Sequence, residues 1–97
     1  MPTSGNRLKK IRKELRLSQE EFGDRIGLSR AGIAAVEADK NNFSQDVLYK
    51  MISVFNVNLN YLIAGIGDMF NSKVEANYEV AKIRTIVNDI LKEHRLI

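Results

Sequence analysis

Apolar residues recur along this chain at helical spacing, and short polar breaks separate one run from the next. Leu8, Ile11 and Leu15 fall at i, i+3 and i+7, one face of a helix. Asn6 is placed to cap it, so the pattern predicts a first helix from Asn6 to about Arg16, after a frayed start over Met1 to Gly5. The opposite face carries Lys9, Lys10, Lys13 and Arg16. These are either a solvated charged face or contacts to phosphates, and the sequence leaves both open.

The next two runs are short and nearly touch. Ser18-Gln19-Glu20-Glu21 is a capping box, in which serine and glutamate satisfy each other's backbone N–H. It opens a helix to about Ile26, with Phe22 and Ile26 inward. Gly23 stands mid-helix at a cost of about 1 kcal/mol relative to alanine, which implies close approach of a second helix. Gly27 fits the left-handed position that ends a helix. Ser29 then caps a third helix to about Glu37, with Ile33 and Val36 inward and Arg30, Ala31, Ala34 and Ala35 on the other side. Two helices meeting at a glycine turn with this spacing predict a helix-turn-helix, the second helix being the one that enters DNA.

A loop follows from Ala38 to Phe43, with Asp39 accommodating the helix exit. Ser44 caps a fourth helix with Val47, Leu48, Met51, Ile52 and Phe55 inward. After a break at Asn56-Val57, Asn58 caps a short fifth helix that ends at Gly65. Met69 and Phe70 are expected to fold back onto the five-helix core. From about Ser72 no breaker appears for more than twenty residues. Val80, Ile83, Val87 and Ile90 continue a heptad-like seam, widened by Ile86 and Leu91. Such a stripe on a helix beyond a domain that already closes predicts pairing with a second chain; the alternative is that it lies back across its own domain. The expected architecture is therefore all-α: a five-helix DNA-binding domain over 1–70 and a C-terminal amphipathic, dimerising helix over 71–97.

Charge sharpens this picture. Residues 1–40 hold nine Lys/Arg and six Asp/Glu, whereas residues 41–97 hold six of each. The excess sits with the two short helices and favours a polyanion. Without cysteine there is no disulfide framework and no thiolate metal site. The start of the chain has no apolar stretch of the kind a signal peptide needs, and no apolar run reaches the about 18 residues of a membrane span. The lone histidine, His94, lies near the end of the chain. With no plausible general base, phosphate loop or ligand cluster, neither catalysis nor a cofactor or metal is expected.

From Gln19 to Ala38 the sequence resembles the lambda-repressor/Cro-like helix-turn-helix regulators, the XRE family. Phe22, Ile26, Leu28, Ile33 and Val36 stand where that family places apolar residues, Gly23 where it places a small one, and Gly27 where it places glycine. The likeness covers roughly residues 6–70. Ala38-Asp39 departs from the Asn-Gly type of pair common after the recognition helix, and Phe43 stands where proline is frequent, so the resemblance carries the fold but not the loop's path along DNA. The resemblance implies a five-helix lambda-repressor-like fold and a cytoplasmic regulator, bacterial or phage-encoded, that binds double-stranded DNA. By the same likeness, phosphate contacts fall to Gln19, Ser29, Lys40, Asn41 and Asn42, and Arg12 and Glu37 form a structural ion pair.

Base contacts then fall to the start of the third helix. Arg30 is the one long donor; an arginine bonded to guanine O6 and N7 supplies about 1–3 kcal/mol of discrimination. Ala31, Ala34 and Ala35 can meet thymine methyls, and Gly32 lets the helix approach. One helix in one groove makes few contacts, so a homodimer on half-sites about 34 Å apart is expected, with repression as its default action. The competing reading is an antitoxin-type DNA-binding protein whose last helix holds a toxin or another protein partner.

Overall fold

A computed structural model describes residues 2–71 and 80–94, with side chains described for 2–71 and 84–94. Six helices follow one another: α1 (Ser4–Glu14), α2 (Gln19–Ile26), α3 (Arg30–Glu37), α4 (Gln45–Phe55), α5 (Leu59–Ala64) and α6 (Val80–Glu93). Among these residues the fold is all-α. The one extended pairing is an isolated antiparallel bridge between Val57 and Phe70.

Local chemistry sets most of the helix starts. The Ser18 hydroxyl accepts the Glu21 N–H at 3.0 Å, and the Ser18 N–H donates to Glu21 Oε1 at 3.0 Å, which completes the capping box. Ser29 and Ser44 accept from Gly32 and Val47 in the same way, and Asn58 accepts from Asn60. The ends are equally uniform. Each of the first five helices closes on a residue in the left-handed region: Arg16 (φ 59°), Gly27 (76°), Asp39 (60°), Asn56 (58°) and Gly65 (72°). The N–H that follows each one turns back to a carbonyl five or six residues earlier.

α1 departs from expectation at both ends. Its cap is Thr3, whose side chain accepts the Asn6 N–H at 3.1 Å, so Ser4 and Gly5 are helical rather than frayed. The last helical residue is Glu14, and Arg16 forms the turn. Asp39 explains the early start. Its carboxylate accepts the Gly5 N–H at 3.0 Å and the Thr3 hydroxyl at 2.5 Å. A Cβ on Gly5 would lie 2.5 Å from the Val36 carbonyl oxygen, so only glycine lets α1 come this close to the end of α3. Arg7 ties the same helix to α5, donating to the carbonyls of Leu62 at 2.9 Å and Ile63 at 2.8 Å.

The core gathers Leu8, Ile11, Phe22, Ile26, Ile33, Met51, Leu59 and Leu62, all essentially without solvent exposure. Phe22 stacks on Phe55, ring centroids 4.6 Å apart and planes 7° from parallel, and so joins α2 to α4. A Cβ on Gly23 would press into the Leu28 carbonyl oxygen, and it would also meet Ile33. The close approach is thus made first by the turn and second by α3. Met69 and Phe70 pack against the core as expected, held by Asn58 N–H to Met69 O at 2.9 Å and Asn71 N–H to Asn56 O at 3.0 Å.

The C-terminal seam needs correction. Val87 is fully buried and Leu91 is 6% exposed, both within the chain's own core. Ile86 and Ile90 are half-buried against it. α6 lies on α4 and α5, with Arg84 over the Tyr49 ring and His94 Nε2 2.9 Å from Asn60 Oδ1. Val87 and Leu91 are therefore not free to face a second chain. The reason is that α4 and α5 leave an apolar face uncovered, and a three-four spacing serves packing on two helices of one molecule as well as packing on a partner. The side chains of Val80 and Ile83, and the helix expected from Ser72 to Glu79, lie outside the described residues. Among the described residues no helix is long and apolar enough to cross a membrane.

Candidate nucleic-acid interface

The capping serines fix where α2 and α3 begin, and those two beginnings come together. Ser18, Gln19 and Glu20 at the head of α2, Arg30 at the head of α3, and Arg12 from α1 line one shallow depression. Arg30 is exposed and has neither a hydrogen bond nor an ion pair among the described residues. Ala31 beside it is exposed, while Gly32, Ala34 and Ala35 are half-buried. No carboxylate occupies the first turn of α3, so its free backbone N–H groups and Arg30 present a positive end to solvent.

Behind this edge stands a nearly buried ion pair. Arg12 Nε donates to Glu37 Oε2 at 2.6 Å and Arg12 Nη2 to Glu37 Oε1 at 3.1 Å; the side chains are 11% and 5% exposed. Arg12 Nη1 also donates to the Leu17 carbonyl at 2.9 Å, which fixes the turn that delivers Ser18. Gln19 Nε2 donates to Glu37 Oε1 at 3.2 Å. One carboxylate thus accepts from two elements besides its own, and the pitch of α2 against α3 is set from inside.

The residues named by resemblance fall in two groups. Gln19, Ser29, Arg30 and Ala31 cluster at the joined helix starts, with Gly32, Ala34 and Ala35 one turn on. The Ser29 hydroxyl is engaged in capping, where a Cβ on Gly32 would come within 3.4 Å of it. Lys40, Asn41 and Asn42 are exposed in the loop beyond α3, after the turn closed by the Lys40 N–H on Ala35 O at 2.9 Å. Phe43, the departure from the family pattern, is half-buried and packs against the core, which anchors the far end of the loop. Sequence reasoning missed the part Asp39 plays. It sets the exit of α3 into this loop while holding the start of α1, a contact across 34 residues that has no local signature. Among the described residues no group of three or more side chains is arranged to hold a metal.

A family model described as helix-turn-helix matches residues 8–62, more than half of the chain. An HTH-type transcriptional regulator of Bacillus subtilis, YqaE, is 31% identical over 58 residues, which cover 60% of this chain and 50% of that protein. An HTH-type transcriptional regulator of Archaeoglobus fulgidus is 36% identical over 53 residues, covering 55% of this chain and 75% of that protein. The chain thus spans half the length of the Bacillus relative. No solved structure matches it significantly.

Proposed function

The chain belongs to the helix-turn-helix family of DNA-binding transcriptional regulators, and we propose that it acts as a repressor, binding an inverted-repeat operator as a homodimer. The observation that carries this is Arg30: a free guanidinium at the start of α3, set among alanines and sharing one depression with Arg12 and Gln19. In the major groove it would take guanine O6 and N7, while Ala31, Ala34 and Ala35 meet thymine methyls or the groove floor. Gln19, Ser29, Lys40, Asn41 and Asn42 would hold the backbone on either side. With one strong base contact per chain, DNA shape and deformability supply the rest of the selectivity.

A single such reader makes too few contacts for operator affinity, so two copies on half-sites about 34 Å apart are required. Their contact surface excludes Val87 and Leu91, which each copy keeps in its own core. Occupying a promoter in this way blocks polymerase without further parts. Duplexes selected from a random library, followed by sedimentation of the complex, test the proposal. We expect an enriched inverted repeat bound by two chains. A single chain saturating an asymmetric site at full affinity would overturn the dimer.

A further inference from the structure

The basic excess of the first forty residues is larger than the reading face uses. Of nine Lys/Arg, Arg7 and Arg12 are spent on internal hydrogen bonds, and Arg30 and Lys40 belong to the interface above. Four of the remaining five stand on α1 and its exit turn. We propose that three of these, Lys9, Lys13 and Arg16, form a second contact with the same duplex, gripping the phosphate backbone beside the half-site that α3 reads. The proposal rests on the DNA-binding function above and adds a surface to it.

Position supports it first. Lys9 and Lys13 lie at i and i+4 and share one side of α1, and Arg16 follows in the turn that closes the helix. That side adjoins the one carrying Arg12, which bounds the depression shared with Gln19 and Arg30. The line therefore runs along the flank of the reading edge, and Arg16 stands two residues before the cap of α2. At 1.5 Å per residue Lys9 and Lys13 stand about 6 Å apart along the helix, and Arg16 extends the run toward α2, so more than one phosphate is within its span. Glu14, the acidic residue of α1, sits about 100° around the helix from Lys13. All three basic side chains are exposed, and none has a hydrogen-bond or ion-pair partner among the described residues.

Arg16 supplies an independent observation. It closes α1 at φ 59°, in the left-handed region where a side chain is strained and glycine is free. Closing the helix asks for no side chain at this point. What arginine adds there is a guanidinium at the turn that leads into the interface, suited to phosphate oxygens.

Two variants test the contact: Arg16→Gly, and the double variant Lys9→Gln/Lys13→Gln. Binding to the selected operator and to an unrelated duplex is measured by fluorescence anisotropy between 50 and 200 mM salt. Each phosphate contact removed should flatten the slope of log K against log salt by about 0.9. We therefore expect a change of about 0.9 for Arg16→Gly and about 1.8 for the double variant. The ratio of operator to unrelated affinity should stay as in the wild type, and the melting midpoint of Arg16→Gly should not fall, since the strained residue is gone. Unchanged slopes with binding intact would overturn this surface alone and leave the ridge to a partner other than DNA. Failure of the wild type to bind any duplex would remove the DNA-binding proposal and this one together.

Discussion

Gln19, the first residue of α2, donates its amide to the carboxylate of Glu37, the last residue of α3, across 3.2 Å. The same carboxylate holds Arg12 of α1 through two hydrogen bonds. Three helices thus meet on one side chain that is 5% exposed. Because that side chain lies directly behind the depression bounded by Gln19 and Arg30, the geometry of the interface is set by a group that need not touch DNA.

Removing one partner of this pair should be costly. Glu37→Ala leaves the Arg12 guanidinium almost buried without a counter-charge, and a loss of about 3–5 kcal/mol is expected. The double replacement Arg12→Met/Glu37→Met, which leaves no orphaned charge, should lose much less than the two single losses added together. Urea unfolding of the wild type, Arg12→Met, Glu37→Met and the double variant gives the coupling directly. Strictly additive losses would mean that the pair is not a unit.

Leu91 tests where α6 belongs. With its side chain 6% exposed inside the core of its own chain, Leu91→Ala should cost about 2–4 kcal/mol. The size of that loss should not depend on protein concentration. Were the seam shared between two chains instead, Leu91→Ala would weaken the dependence of the unfolding midpoint on protein concentration.

The contrast between α6 and the capped helices shows what the sequence could and could not reveal. Ser18, Ser29, Ser44 and Asn58 each cap the helix they precede, because a cap involves groups within three residues of one another. Gly27 was legible for the same reason. The pattern places the start of α1 too late, although Thr3 caps it just as locally; what the sequence could not show is the Asp39 carboxylate that holds Thr3 and Gly5 from the end of α3. Nor could it show the part of Arg7, whose acceptors are the Leu62 and Ile63 carbonyls more than fifty residues away. The heptad-like spacing of α6 correctly marked a buried stripe, but spacing does not say which molecule buries it. In the interface, residue types and order were readable, whereas the sharing of Glu37 between Arg12 and Gln19 arises only once three helices are packed.

Stability should also respond to acid through the capping box. The Glu21 carboxyl is held below its ordinary value of 4.5, chiefly by the hydrogen bond it accepts from the Ser18 N–H and then by the Ser18 hydroxyl, with a smaller contribution from Arg25. A depressed carboxyl stabilises the fold fully above its ordinary value, and that contribution is lost as pH falls through the lowered one. Melting of the wild type and Glu21→Gln from neutral pH downward should therefore converge below the ordinary carboxylate range. A constant gap down to strong acid would show that the carboxylate form is not what stabilises α2.

The base preference conferred by Arg30 is the most direct test of the account. Wild-type protein, Arg30→Lys and Arg30→Ala are titrated with the selected operator and with duplexes in which single base pairs of the half-site are exchanged. One guanine position is expected whose exchange costs the wild type about 1–3 kcal/mol. Arg30→Ala should be indifferent at that position and keep its other preferences, and Arg30→Lys should discriminate less than the wild type there. An Arg30→Ala protein that is folded, binds the operator and retains every base preference would contradict the assignment of α3 as the reading helix.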